Sequence, residues 1–426
     1  MHGKAERNSF NRPLKLLLLL TSLHGGGAER VAVQLLNRLD PRRFDVRIGV
    51  LRKDGPYLDL IEDIDRVIAA PNGETRFNYD GPNSEQYAIS KLIGSALRAP
   101  VAFRRMIDAA QPDVVMSFLK GTNLLVWAAL LSMGRHRPRW IAREGNNALA
   151  VIANEAPNRL FKSLSLALTR KAYSHADATL ANSSDMVVGL MRDLGLNPAK
   201  LRMINNPIDL ETIAALRHAP ISDGPGRPFI LSAGRLEFQK AHEVLIRAFA
   251  QSGLWRNHAL VILGKGSRFA QLSQLAVELG VREHVHFIGF VANPYTWMAR
   301  AELFVLPSRW EGFPTVAAEA LACGTPLILS DCSFGPRDVI EPGVSGELVP
   351  VDDAAALAAR MIALIGDPMR RANLRAAGLE RVKRFAINPI VESYAELFEE
   401  FAVAPQCARK ARVNEFVAVS PAAKRR

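Results

Sequence analysis

Two glutamates in an E-x7-E spacing bracket the run Glu311-Gly-Phe-Pro-Thr-Val-Ala-Ala-Glu319-Ala-Leu-Ala-Cys-Gly324. Pro314 suits the first turn of a helix and Gly324 its end. On such a helix Val316, Ala320 and Cys323 share a core face, while Thr315 and Glu319 fall together on another. Glu311 sits in the loop before it, so both carboxylates can look into one cleft. There a carboxylate accepts from two adjacent sugar hydroxyls, and the N–H groups at the helix start near Phe313 and Thr315 take hydroxyls or phosphate. Upstream, Gly234-Arg235-Leu-Glu-Phe-Gln-Lys240 leaves one apolar strand and enters a helix over 242–250. Its two cations can converge on a diphosphate, Arg235 as a planar fork and Lys240 as a point charge. Positive charge beside a helix N-terminus opposes the macrodipole, and an anion bound there relieves the cost.

Gly25-Gly26-Gly27 lies between a first apolar strand and a helix starting near Ala28. Glycine lets backbone come close to a phosphate at the helix start. The run is not G-x-G-x-x-G, and no acid clearly ends a second strand to hold a ribose, which argues against a dinucleotide site. Gly264-Lys265-Gly266 is a further glycine turn after a strand. In the first half, Trp140-Ile-Ala-Arg143-Glu144-Gly145-Asn146-Asn147 sets polar side chains at a strand end. That is the side expected of an acceptor pocket, with a self-satisfied loop network as the equal alternative. Asp63-Ile-Asp65 is formally a D-x-D pair, but no ligand-rich context surrounds it, and it reads as a surface turn with no metal.

All of these groups must be held at the carboxyl ends of parallel strands. Short Val/Ile/Leu-rich runs recur near 14–23, 45–51, 113–119, 140–143, 178–182 and 201–204, then near 229–234, 259–263, 285–289, 303–306 and 325–330. Their unbroken apolarity marks strands buried on both faces. Amphipathic helical stretches, such as 30–39 and 158–174, separate them. The pattern is α/β and doubly wound, and it occurs twice. Asn206-Pro-Ile-Asp209 and the loop 221–228 punctuate the middle. The division is therefore a first domain over 13–205 and a second over 206–385. A last helix over 386–402 is expected to pack back on the first domain. The tail 403–426, with Arg409, Lys410, Arg412, Lys424, Arg425 and Arg426, is expected to be disordered.

A chain of 426 residues with 23% charged and 49% hydrophobic residues is globular and large enough for two cores. Charge is uneven: the first 205 residues carry 29 Lys and Arg against 19 Asp and Glu, and the remainder 25 against 23. Only the first half should therefore meet an anionic partner, nucleic acid or membrane. Cys323, Cys332 and Cys407 match no zinc spacing and cannot all pair, so the chain reads as reduced and intracellular. The apolar run near 14–23 superficially resembles a leader, but it is short of the roughly 20 residues that cross a bilayer. It also runs into His24-Gly-Gly-Gly without a cleavage site, and a buried strand accounts for it better.

The chain resembles glycosyltransferase family 4, the retaining GT-B enzymes. The resemblance rests on Gly26-Gly27-Ala28-Glu29-Arg30, Asn206-Pro-Ile-Asp209, Gly234-Arg235-Leu236 with Lys240, Glu311-Gly-Phe-Pro314 with Glu319, and Gly346-Glu-Leu-Val-Pro350. Residues 330–340 further resemble a subgroup extending lipid-linked or surface polysaccharide chains. The resemblance implies two Rossmann-like domains facing a cleft, with transfer of a hexosyl or N-acetylhexosaminyl group from a UDP- or GDP-sugar. It implies that Arg235 and Lys240 stabilise the departing diphosphate and that Glu319 holds the ribose hydroxyls. Glu311 and the backbone of Phe313, Pro314 and Thr315 would hold the sugar, while Gly26, Gly27 and Gly264 approach the donor. Arg143, Glu144 and Asn146 would face the acceptor, a glycan or polyprenyl-linked glycan. No cofactor or metal is implied. The expected location is cytoplasmic, peripheral on the inner membrane face, and nucleic acid is not an expected partner. The family usually places glycine after the lysine; here it is Ala241, strained if that position requires positive φ. The alternatives are a nucleotide-sugar epimerase of the same fold, an NAD(P)-dependent oxidoreductase, and a non-catalytic binding module.

Overall fold

The computed structural model describes residues 12–24, 26–70, 89–221 and 224–403; Gly25 and all but the first residue of the basic tail lie outside these. Strands β1 (Leu14–Leu20), β2 (Phe44–Val50), β3 (Val67–Ala69), β4 (Val114–Phe118), β5 (Arg139–Arg143), β6 (Ala178–Ala181) and β7 (Leu201–Met203) form one parallel sheet. Its order is β3-β2-β1-β4-β5-β6-β7. Strands β8 (Phe229–Ala233), β9 (Ala259–Leu263), β10 (Val285–Gly289), β11 (Leu303–Leu306), β12 (Leu327–Ser330) and β13 (Glu347–Val349) form a second parallel sheet, ordered β10-β9-β8-β11-β12-β13. Helices α1 (Gly27–Arg38), α2 (Ile89–Ala110), α3 (Leu119–Leu131), α4 (Ala148–Glu155), α5 (Arg159–His175) and α6 (Ser184–Leu194) accompany the first sheet. Helices α7 (Leu210–Leu216), α8 (His242–Ser252), α9 (Phe269–Glu278), α10 (Tyr295–Arg300), α11 (Thr315–Ala322), α12 (Pro336–Val339), α13 (Ala354–Gly366), α14 (Pro368–Val382) and α15 (Ile387–Val403) follow.

The leader-like leucine run is strand β1. Leu14, Leu16, Leu18 and Leu20 enter a core shared with α1, whereas Leu17 and Leu19 enter the core under α2 and α3. Burying a leucine contributes about 1.5–3 kcal/mol, so a strand apolar at every position needs cover on both faces. The last helix provides part of that cover: Ile387, Val391, Tyr394, Leu397 and Phe398 of α15 lie in the β1–β2 core. The two crossings between domains run side by side, with the Ile208 amide donating to the Phe385 carbonyl at 2.7 Å. Ile208 and Ala386 also form an isolated parallel bridge. The second sheet repeats the two-faced burial; Val261 and Leu263 of β9 face one core, Leu260 and Ile262 the other.

Both sheets reverse their strand order beside their first strand, at β1/β4 and at β8/β11. A parallel sheet opens a crevice at such a point, outside the carboxyl ends of the strands. The segments after β8 and β11 hold Arg235, Lys240 and Glu311 there. Among the described residues, no helix is long and apolar enough to cross a membrane.

Candidate functional site

After β11 the chain passes Ser308 and Glu311 before α11. Glu311 is only 5% exposed. Its Oε1 accepts from the Ser308 hydroxyl and from Lys240 Nζ, each at 2.6 Å. A charge-assisted pair of this kind offsets part of the cost of burying the carboxylate. Pro314 does not open the helix as its sequence position suggested. It is the centre of a three-residue turn, with φ −73° and ψ 79°, closed by the Thr315 amide on the Phe313 carbonyl at 2.8 Å. The helix begins one residue later. Phe313 turns its ring into the second core, edge-on to Phe385, so that its backbone borders the crevice.

Thr315 and Glu319 share the helix face turned toward the first domain. Thr315 Oγ1 accepts from the Asn206 amide at 2.7 Å, and Glu319 Oε1 pairs with Arg30 of α1. Glu319 Oε1 also accepts from the Tyr295 hydroxyl at 3.3 Å. A side chain on Gly27 would place its Cβ 3.2 Å from Thr315 Oγ1, so the N-termini of α1 and α11 meet across the gap. Gly26 caps α1 with extended backbone, and its carbonyl accepts from the Arg30 amide. The starts of α1, α8 and α11 carry no side-chain cap, as is also true of α3, α9, α10 and α12, whereas α4, α5, α7, α13 and α14 are capped by Asn or Asp. Uncapped helix starts retain N–H groups for an incoming anion or hydroxyl.

Arg235 is exposed on the loop leaving β8, while Lys240 is held back against Glu311. The structure thus keeps the two cations on one loop with different surroundings. Ala241 is buried at φ +48°, ψ 38°, the left-handed conformation that glycine adopts without cost. Gly264 has φ +131°, and a Cβ on it would lie 2.0 Å from the Gly234 carbonyl oxygen; the loops after β8 and β9 touch backbone to backbone.

The first-domain residues are placed differently. Arg143 has no exposed surface; its Nε donates to the Tyr394 hydroxyl of α15 at 2.9 Å and its Nη2 to Asn206 Oδ1 at 2.6 Å. Glu144 is equally enclosed. One oxygen accepts from the amides of Gly145 and Asn146, the other from the Tyr173 hydroxyl. Burial pushes the Glu144 carboxyl above its usual range, against the pull of those donors. Asn146 spends its side-chain oxygen on the Asn147 amide. Arg143 and Glu144, expected to face the acceptor, are internal, covered by α15 and Tyr173 respectively. A loop network forms that satisfies both Glu144 oxygens but leaves the buried Arg143 Nη1 without a partner among the described residues. The D-x-D pair is a surface turn in which Asp63 accepts from the Asp65 amide, and among the described residues no group of three His, Cys, Asp or Glu could hold a metal.

The domains also meet beyond the carboxylates. A Cβ on Gly312 would lie 2.0 Å from the Gly145 carbonyl oxygen, which leaves room only for glycine. Phe334 enters the first-domain core beside Gly189, and Asp338 accepts from the amide and hydroxyl of Ser184, capping α6 from the other domain. Arg30 and Asn206 stood within recognisable runs of sequence but without a role. Asp338 likewise stood within the run 330–340 without a role, and Tyr295 carried no signal of its own, because its partners lie in distant segments.

Residues 218–381 match the family Glycosyl transferases group 1, and residues 25–212 match Glycosyltransferase Family 4. The N-acetylgalactosamine-N,N'-diacetylbacillosaminyl-diphospho-undecaprenol 4-alpha-N-acetylgalactosaminyltransferase of Campylobacter jejuni is 30% identical over 375 residues, spanning 87% of this chain and 95% of the relative. The lipopolysaccharide core biosynthesis glycosyltransferase LpsE of Rhizobium meliloti is 28% identical, with the same shares covered. Among solved structures, Anabaena HepE in complex with UDP and glucose superposes with a TM-score of 0.71 at 20% identity, covering 91% of this chain and 100% of that one. Sucrose-phosphate synthase from Thermosynechococcus elongatus reaches 0.73 at 21% identity, over 92% and 100%. The fold these share is GT-B. Similarity this extended, with both halves matched in order, means that the chain belongs to the group 1, family 4 glycosyltransferases.

Proposed function

We propose that this glycosyltransferase moves a hexosyl or N-acetylhexosaminyl group, with retention, from a UDP- or GDP-sugar to a glycan or polyprenyl-linked glycan. The observation that carries the reading is the pair of buried carboxylates, Glu311 and Glu319, beside the uncapped start of α11 and the cations Arg235 and Lys240. In this reading Glu319 receives the ribose hydroxyls, and Glu311 with the Phe313–Thr315 backbone receives the sugar. The bond from the anomeric carbon to the phosphate oxygen breaks as the acceptor oxygen bonds to that carbon on the same face. The acceptor's proton passes to the leaving phosphate, and a nucleoside diphosphate departs. Arg235, Lys240 and the helix starts stabilise its charge, which lets the reaction run without a metal.

The acceptor class is supported by the Campylobacter relative, whose name specifies a diphospho-undecaprenol substrate, and the donor class by the UDP bound to HepE. Peripheral contact with an anionic membrane fits α5. Leu160 is 80% exposed, with Phe161, Leu164 and Leu168 exposed on the same side, and Arg159 and Lys162 are exposed beside them. Each cation near an anionic surface contributes about 1 kcal/mol. In this reading the enzyme works at the inner face of the cytoplasmic membrane.

The test is thermal stabilisation by UDP-, GDP-, ADP- and TDP-sugars, with Glu319→Gln alongside. A ligand at 100 times its Kd adds about 2.7 kcal/mol. A shift confined to one nucleotide class and lost in the variant supports the donor site. Proton NMR of the product's anomeric centre then reads retention directly. Conversion of the donor to its epimer without acceptor would replace this reading with the epimerase.

A further inference from the structure

Glu319 is supplied from both domains. Arg30 stands in the first turn of α1 and pairs through Nη1 with Glu319 Oε1. The same nitrogen lies 3.4 Å from the Tyr295 hydroxyl of α10, and that hydroxyl reaches Oε1 at 3.3 Å. The Arg30 guanidinium carbon sits 5.5 Å over the Tyr57 ring, in the first domain. An ionised carboxylate offers about four acceptor directions, two on each oxygen. Arg30 and Tyr295 use those of Oε1. Among the described residues nothing donates to Oε2, so its two directions are left, the number a vicinal diol requires.

We infer that Arg30 is a positioning residue for the transfer reaction: it holds Glu319 ionised and turned so that Oε2 is presented to the ribose hydroxyls of the donor. The inference rests on the donor-site reading above. Arginine suits the task because its guanidinium stays charged at every working pH, so one Nη1 contact supplies charge to Oε1 and leaves Oε2 open. A buried carboxylate without that neighbour would move toward its protonated form and lose an acceptor. Because Arg30 and Glu319 belong to different domains, the ribose site is complete only when α1 is docked against α11. Donor affinity is thereby tied to closure of the cleft.

The test is calorimetric binding of UDP and 2′,3′-dideoxy-UDP, with GDP and 2′,3′-dideoxy-GDP in parallel, to the wild-type chain, Arg30→Gln and Arg30→Lys between pH 5 and 8. The wild type should prefer the ribonucleotide at least tenfold, with little change over that range. Arg30→Gln should bind it roughly ten- to hundredfold more weakly, since hydrogen bonds to charged groups are worth more than neutral ones. It should also lose the preference for the diol, and its binding should fall as the pH is lowered. Arg30→Lys retains the charge and should keep the flat pH profile while recovering only part of the preference. A folded Arg30→Gln or Arg30→Lys protein with wild-type affinity, preference and pH profile would overturn the inference and leave Arg30 as an interdomain strap. Tighter binding by Arg30→Gln would overturn it too, and make Arg30 a competitor of the ribose. A wild-type chain that binds a nucleotide without preferring the diol sinks the inference alone. One that binds neither UDP nor GDP sinks the donor-site reading as well.

Discussion

The two sheets share a strand order at their centres, yet the carboxyl ends of their strands present different chemistry. In the second domain, Arg235, Lys240, Glu311 and Glu319 bring charge to the crevice, and each carboxylate has a cation beside it. In the first domain, Arg143 and Glu144 stand at the end of β5, one strand beyond the counterpart of β11, and are sealed under α15 and Tyr173. That domain instead offers backbone at Gly26, Gly27 and Gly145, and one long cation, Arg30. A polar residue at a strand end thus borders the crevice in one domain and is enclosed in the other. What decides between them is the element that covers the strand end afterwards.

The comparison can be broken at four places. One effect, on stability, concerns His242, buried at the start of α8, with no partner for either ring nitrogen among the described residues. Burial, assisted by the charge of Lys240, lowers its pKa to about 3. The unfolded chain takes up this proton near pH 6.5 and the folded one does not. The stability contributed by neutral His242 is therefore full above pH 6.5 and declines as the pH falls toward 3. Each full unit costs about 1.4 kcal/mol, which integrates to roughly 2 kcal/mol between pH 6.5 and 4.5. Urea titrations of wild type and His242→Leu over that range should differ in slope by one proton; equal slopes would mean that the ring titrates in the fold.

Arg235→Met should lower kcat about a hundred- to thousandfold, the usual cost of removing one donor from a developing anion. Its Tm should stay within a degree or two, because Arg235 is exposed. Glu144→Ala should behave oppositely. It strips the loop amides and Tyr173 of their acceptor, at a cost of about 2–3 kcal/mol in unfolding free energy, while nucleotide affinity stays within twofold. A loss of turnover without loss of stability would return Glu144 to the reaction. Ala241→Gly should give the smallest effect, a gain of about 1 kcal/mol from releasing a left-handed alanine. No gain in the melting curve would mean that glycine's greater freedom in the unfolded chain cancels the relief.

Strands with unbroken apolar runs were legible from residue types alone, because burial on both faces leaves no polar position to confuse the pattern. Strands β3 and β13, three residues each on the sheet edges, were not, although β7, equally short and also at an edge, was. The E-x7-E spacing placed Thr315 and Glu319 on one helix face, as found. It could not name their partners, since Arg30, Asn206 and Tyr295 come from segments that only tertiary folding brings near. The departure at Ala241 is the clearest case of local reading: a position where glycine is usual takes φ +48° with alanine in place. Arg143 and Glu144 fell to the opposite limitation, because their cover includes a helix more than two hundred residues downstream.

The position of α15 bears on how the protein is made. The leucines of β1 that face α1 share their core with Tyr394, Leu397 and Phe398, and those residues leave the ribosome last among the described elements. At about 5–20 residues per second, roughly ten to forty seconds separate completion of the first sheet from delivery of that helix. Throughout that interval a nascent chain displays a leucine-rich sheet face with part of its cover missing, and the second domain must be synthesised before it is closed. The β1–β2 core thus receives its last described contributors only after the second domain has been synthesised.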